Sequence, residues 1–218
     1  MGFWGLPSLS EPAARFDLIE TMAFDPRNGM PMLDLHMARL HRSAADLQFR
    51  FDRHGLRNEL QAATFSLMEP ARVRVLLGKE GEVAIEVREH RAWPHAIMPV
   101  SIRPRPIAGD DARLRHKTTD RAFYQQALKD GGTYEVLLTD EDGFLTEGCF
   151  SNIFVEQGDK LLTPPLSRGL LPGVLRQSLI DLGEAVEADL KPRDLGNGFF
   201  IGNAARGLVA ASVVAPRG

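Results

Sequence analysis

Lys117 is the residue of this 218-residue chain whose surroundings most suggest chemistry. It lies in the segment LRHKTTDR, with Arg113, Arg115, His116 and Arg121 close by in sequence. Positive neighbours disfavour an ammonium ion and leave more of the amine neutral, the form that attacks a carbonyl carbon to make a Schiff base. Taken alone, the segment reads more readily as a solvated surface strip, where most lysines sit. Glu147 stands between two apolar runs, just before Gly148, a placement that favours a directed role over that of a solvated turn residue. The single cysteine, Cys149, has no recognisable nucleophile motif around it and reads as a small buried filler.

The elements that must position these groups follow from periodicity and turn residues. Residues 15–24 read as a strand that leaves a disordered tail over residues 1–14 and runs into the Asn28-Gly29 turn. Asp34 is the expected cap of a helix whose Met37, Leu40, Ala44 and Leu47 form one apolar face, with Arg39 and Arg42 beside it. A second helix follows Asp52, and the runs at 72–78 and 82–89 alternate about a glycine turn as a hairpin. The proline-bearing stretch 93–99 is the expected linker, dividing a small α+β domain, 1–92, from a larger domain, 93–218. The second unit begins with a strand at 100–103. A helix capped by Asp120 then ends at Gly131-Gly132, and strands at YEVLLTD, FLTEG and SNIFV are joined by tight turns. A helix near 173–182, opened by Pro172, and short strands around 186–190, 199–202 and 208–214 complete the chain.

Composition excludes several classes. With 26 basic against 29 acidic residues and a net charge of -3, no cationic excess exists to neutralise a nucleic-acid backbone. No apolar run approaches the ~18 residues of a membrane span. The first 14 residues contain no base and no apolar run of the signal-peptide kind, and one cysteine forms no intrachain disulfide, so a cytoplasmic protein is expected.

Five separated segments, in order over residues 15–214, resemble class IV aminotransferases and, among them, 4-amino-4-deoxychorismate lyases. They are HMARLHRSAADL at 36–47, HKTTDRAFY at 116–124, DGFLTEGCFSNIFV at 142–155, LLTPPLSRGLLPGVLR at 161–176 and GNAARGL at 202–208. The resemblance implies a two-domain α+β fold with a β-barrel-like larger domain, a homodimer, and pyridoxal 5'-phosphate as cofactor with no metal. It implies that Lys117 carries the cofactor, Glu147 faces its pyridine nitrogen and Arg39 grips its phosphate. Leu171, Val174 and Leu175 at a helix opening, with Asn203 and Ala204 in a second turn, complete the phosphate site. Each role makes physical sense: a carboxylate stabilises a protonated ring nitrogen, a guanidinium forks onto a phosphate, and a helix N-terminus suits a dianion.

HKTTDRAFY and NAARGLV look more like the lyases than like branched-chain or D-amino-acid transaminases, as does the chain's direct entry at FDLIETM without a preceding strand. A second departure from the transaminases is Ala122, where branched-chain enzymes carry a tyrosine five residues after the lysine. The implied reaction converts a small molecule, aminodeoxychorismate, to 4-aminobenzoate and pyruvate. Lys117 removes the proton from the carbon bearing nitrogen. A transaminase shares that step but needs a keto-acid acceptor, and a protein that binds the cofactor or docks on a synthase without turnover is the further alternative. Arg121, Tyr124 and Arg206 are the candidate substrate contacts, against surface ion pairing for the arginines and core packing for the tyrosine.

Overall fold

The computed structural model describes residues 16–214, so the tail expected over 1–14 lies outside the described residues. Strands β1 (Leu18–Phe24), β2 (Ala71–Leu77) and β3 (Val83–Glu89) form an antiparallel sheet in that order. Helices α1 (Leu33–Asp46) and α2 (Arg53–Thr64) connect the first two strands and cover one face. The period of two explains which face: Ala71, Val73, Val75 and Leu77 are buried, while Arg72 and Arg74 alternate onto the other side. Leu18, Met22 and Phe24 join that core with Met37, Leu40, Leu56 and Leu60.

Asp52 caps α2, accepting from the N–H groups of His54 and Gly55, as its position predicts. Asp34 does not cap α1. That helix starts at Leu33 after Met32, whose φ is 59°, and Asp34 sits in its first turn with its carboxylate claimed by Arg53 and Arg57 of α2.

The larger sheet contains β4 (Ile97–Pro104), β5 (Glu135–Thr139), β6 (Leu145–Gly148), β7 (Asn152–Gln157), β8 (Lys160–Thr163), β9 (Ala185–Glu187), β10 (Phe199–Asn203) and β11 (Gly207–Val213). Their spatial order is β6-β5-β4-β11-β10-β7-β8-β9. The sheet curls until its ends meet: Leu145 N–H, in the first edge strand, donates to Leu190 O just past the other edge at 2.7 Å. Met98, Val100, Leu137, Ile153 and Ile201 fill the space it wraps.

Helices α3 (Ala122–Gly131) and α4 (Val174–Asp181) complete a mixed α/β fold with a barrel-like second sheet. The strand expected at 100–103 is longer and takes in part of the expected linker. It includes Pro99 at an end flanked by β11 before β5 begins to pair, where a missing N–H disturbs the ladder least. Asp120 does not cap α3 either. Arg121 occupies the cap position and Asp120 faces Arg113 at 3.7 Å, while Gly132, at φ 66°, ends the helix in the left-handed conformation that glycine allows.

Candidate active site

The lysine segment is held by the small sheet. Ile19 N–H donates to Lys117 O at 2.8 Å, Thr119 N–H donates to Asp17 O at 2.9 Å, and Asp17 N–H donates to Thr119 Oγ1 at 2.9 Å, so residues 117–119 lie along β1 like a fragment of a fourth strand. The preceding His116 is tied to Ser43 of α1, Nδ1 to Oγ at 3.0 Å. The Lys117 side chain enters a cavity of about 250 Å³ bordered by residues of both sheets. As a whole the residue is half-buried because it borders that cavity, but its amine is withdrawn from bulk water. Burial, then Arg121 and Arg39, bring the ammonium down to about 7; of the four neighbours named from the sequence Arg121 is the one that contributes, and the second cation comes from α1.

Glu147 enters from the larger sheet, at the end of β6. Tyr124 O–H donates to its Oε1, and Leu171 N–H donates to its Oε2 at 3.1 Å. Burial raises its carboxyl to about 7, against these two donors, which favour the ionised form. Gly148 follows because no side chain fits: a Cβ there would lie 2.9 Å from the Glu135 carboxyl carbon. Glu135, itself buried, gathers the loop after β6 by accepting from the N–H groups of Cys149 at 2.8 Å and Phe150 at 3.2 Å and from Ser151 Oγ at 2.7 Å. Cys149 is buried, and burial pushes its thiol up, as suits a filler rather than a nucleophile.

Arg39 reaches the cavity as part of a buried cluster. Its Nε donates to Glu20 Oε1 at 2.9 Å, its Nη2 to Glu20 Oε2 at 2.6 Å and its Nη1 to Pro172 O at 3.1 Å. Glu20 also pairs with His36 Nδ1 at 2.6 Å. Burial alone would raise Glu20, but Arg39 and His36 outweigh it and hold the carboxyl at about 2. These bonds fix Arg39 beside the opening of α4 and leave part of its guanidinium for an anion. That opening has Gly173 at the cap position with no side-chain cap, so the N–H groups of its first turn are open to a ligand. Val174 borders the cavity, while the Leu175 side chain packs against the Phe154 cluster, which leaves its backbone N–H as its means of contact.

Two expected phosphate donors are otherwise engaged. The Leu171 N–H is committed to Glu147. The Asn203 side chain shapes its own turn: Nδ2 donates to Phe150 O at 3.1 Å, while Oδ1 accepts from the N–H groups of Ala205 and Arg206 at 3.1 and 3.0 Å. Ala204 borders the cavity. Tyr124 borders the cavity and is buried with its hydroxyl on Glu147, which makes it a partner of that carboxylate. Arg121 lies 4.3 Å over the Tyr124 ring and donates to Cys149 O at 2.5 Å, and Arg206 borders the cavity beside Tyr134 and Phe150.

Sequence reading missed Thr21 and Arg72, which the small sheet turns toward the cavity, and His36, whose Nε2 is buried without a partner among the described residues. The alternation of β2 carries a usable signal for Arg72, which falls opposite the apolar face.

Residues 17–214 match the family model described as amino-transferase class IV. This chain belongs to the class IV aminotransferase family. Its members are pyridoxal phosphate-dependent enzymes. A Schizosaccharomyces pombe protein provisionally named an aminodeoxychorismate lyase is 28% identical over 192 residues, covering 84% of this chain and 82% of that one. The solved structure of a Mesorhizobium loti protein, provisionally named an amino-acid aminotransferase, superposes with a TM-score of 0.85 at 34% identity, covering 91% of this chain and all of that one. The mitochondrial branched-chain-amino-acid aminotransferase of Rattus norvegicus is 47% identical over 66 residues, 28% of this chain and 17% of that protein. Among the described residues, no helix is long and apolar enough to cross a membrane, and no three His, Cys, Asp or Glu side chains are grouped to hold a metal ion.

Proposed function

We propose that this class IV enzyme is a pyridoxal phosphate-dependent 4-amino-4-deoxychorismate lyase that releases pyruvate and leaves 4-aminobenzoate. The observation that carries the choice is the charge of the cavity. Arg72, Arg121 and Arg206 all border it, and among the described residues none has a carboxylate within ion-pair distance. A substrate that carries one carboxylate on its ring and a second on its enolpyruvyl arm matches that surplus, whereas the side chain of a branched-chain amino acid calls for an aliphatic wall.

The residues present fit the cofactor. The open N-terminal turn of α4, the free part of Arg39 and the Ala204 backbone surround a place for a phosphate, and the buried Glu147 carboxyl, raised to about 7, lacks a cation that a protonated ring nitrogen would supply. Val174 and Leu175 are the proposed backbone donors, with Lys117 the attachment point. When bound, pyridoxal phosphate supplies an electron-accepting ring conjugated to the substrate nitrogen.

The protein does the rest. The Lys117 amine, held at about 7, takes the proton from the carbon bearing nitrogen. Glu147, oriented by Tyr124 and Leu171, keeps the ring nitrogen protonated. As the carbon–oxygen bond to the enolpyruvyl group breaks, Lys117 returns that proton to the departing group, and the substrate ring is left aromatic.

The test is pyruvate release from aminodeoxychorismate by the cofactor-loaded protein without an acceptor acid. Release supports the reading. Amino-group transfer to a keto acid without such release would overturn it in favour of the transaminase alternative, which the 34% identity to the Mesorhizobium loti protein favours. A yellow complex with neither activity would point to a non-catalytic binder. The same proposal takes residues 1–92 and 93–218 as two domains, supported by the separate apolar cores of the two sheets. It also takes the protein as a cytoplasmic homodimer, the compartment supported by its single cysteine.

A further inference from the structure

We infer that Arg206, together with Tyr134 and Phe150 and backed by Trp93, forms a subsite for the ring carboxylate of the substrate, at the end remote from the reacting nitrogen. The identity of that ring rests on the lyase reading. The Arg206 guanidinium lies 5.1 Å from the Trp93 ring centre, 5.8 Å from Tyr134 and 5.9 Å from Phe150. One of its five N–H donors goes to Tyr134 Oη at 2.8 Å, and the others have no partner among the described residues. A guanidinium stacked by aromatic rings keeps its edge free, and that edge is a fork matched to a coplanar carboxylate.

The rings are arranged for a planar guest. Trp93 stacks on Phe150 at 6.0 Å, and Tyr134 meets Phe150 edge-on at 5.6 Å and 89°, leaving Tyr134 about two-fifths exposed beside Arg206. Faces and edges of this kind attract another aromatic ring more specifically than an aliphatic chain.

The subsite is also built in advance. Arg206 sits in the turn between β10 and β11, which the Asn203 side chain ties from within. From outside, His90 Nε2 meets Ala205 O at 3.2 Å and Trp93 Nε1 donates to Gly207 O at 3.2 Å. A turn fixed on both sides spends little ordering entropy when a ligand arrives. An arginine present only to cover aromatic surface would need none of this.

Calorimetric titration of the cofactor-loaded protein tests the inference, with 4-aminobenzoate, aniline and 4-methylpentanoate as probes. The wild type should bind 4-aminobenzoate about tenfold or more tightly than either of the others. Arg206→Gln should lose about tenfold for 4-aminobenzoate and leave aniline unchanged, with an unaltered cofactor absorbance showing the site intact. Arg206→Lys, which keeps the charge and loses the fork, should fall between. Binding of 4-aminobenzoate by both variants within about twofold of wild type overturns the subsite, as does equal affinity for 4-methylpentanoate. Pyruvate assays separate this from the lyase reading. Acceptor-free release with an unchanged KM in both variants overturns the subsite alone. No release, with 4-aminobenzoate binding that still depends on Arg206, overturns the lyase alone.

Discussion

The buried carboxylates beside the cavity, here called its floor, and the half-buried arginines Arg72 and Arg206 that line it, here called its mouth, are built on opposite plans. At the floor, each carboxylate already accepts hydrogen bonds from the protein. Glu147 has Tyr124 and Leu171, Glu20 has Arg39 and His36, and Glu135 has three main-chain N–H groups and a serine hydroxyl. At the mouth, Arg72 and Arg206 have no carboxylate partner among the described residues. Groups that handle protons must be held still before the substrate arrives, because geometry lost there is lost from the transition state. Groups that recognise charge do better left open, since a resident carboxylate would have to be displaced first. The difference predicts that floor substitutions lower kcat and mouth substitutions raise KM.

The strongest way to break this division is Lys117→Ala. It should reduce turnover by about a thousandfold or more, and borohydride trapping followed by peptide mapping should lose the pyridoxyl adduct at position 117. An adduct at another lysine of the wild type would remove the floor from the account altogether.

The next effect is on pH. With its ammonium brought down to about 7, Lys117 is increasingly neutral as pH rises through 7, so the rate at which the apo-protein captures pyridoxal phosphate should climb there and level off above. Arg121→Gln removes a cation that helps lower it, and should move that rise to higher pH. A profile unmoved by the substitution would mean that Arg121 serves recognition alone and does not tune the lysine.

The mildest test sits at the mouth. Arg72→Gln should raise KM for aminodeoxychorismate about tenfold and leave kcat within about threefold, read from steady-state kinetics. A fall in kcat alone would place Arg72 on the floor and blur the distinction.

Much of this was legible in the amino-acid order where the physics is local. Asp52 caps its helix because its carboxylate reaches the next turn's N–H groups, and alternation in β2 marks one face apolar. Asp34 and Asp120 carry the same local signal, but Asp34 pairs with Arg53 and Arg57 and Asp120 faces Arg113, and sequence spacing contains no information on that rivalry. The roles of Glu147 and Lys117 came from motifs, while the partners that tune them did not. Tyr124 reads from the sequence as a candidate substrate contact, but nothing local announces that its hydroxyl donates to Glu147, a pairing across 23 positions. Glu20 was findable: it shares the inward parity of Leu18, Met22 and Phe24 in β1, and a carboxylate at such a position calls for a buried cation.

One bond described above reaches further than the site. Because the main chain at Lys117 is stitched to Ile19 while Glu147 rides on the other sheet, the spacing of amine and carboxylate is a gauge of slippage between the two halves of the molecule. Any shear that slides one half past the other detunes both groups at once, and the Ile19 amide proton, slow to exchange while the stitch holds, is the clock on which that slippage would be timed.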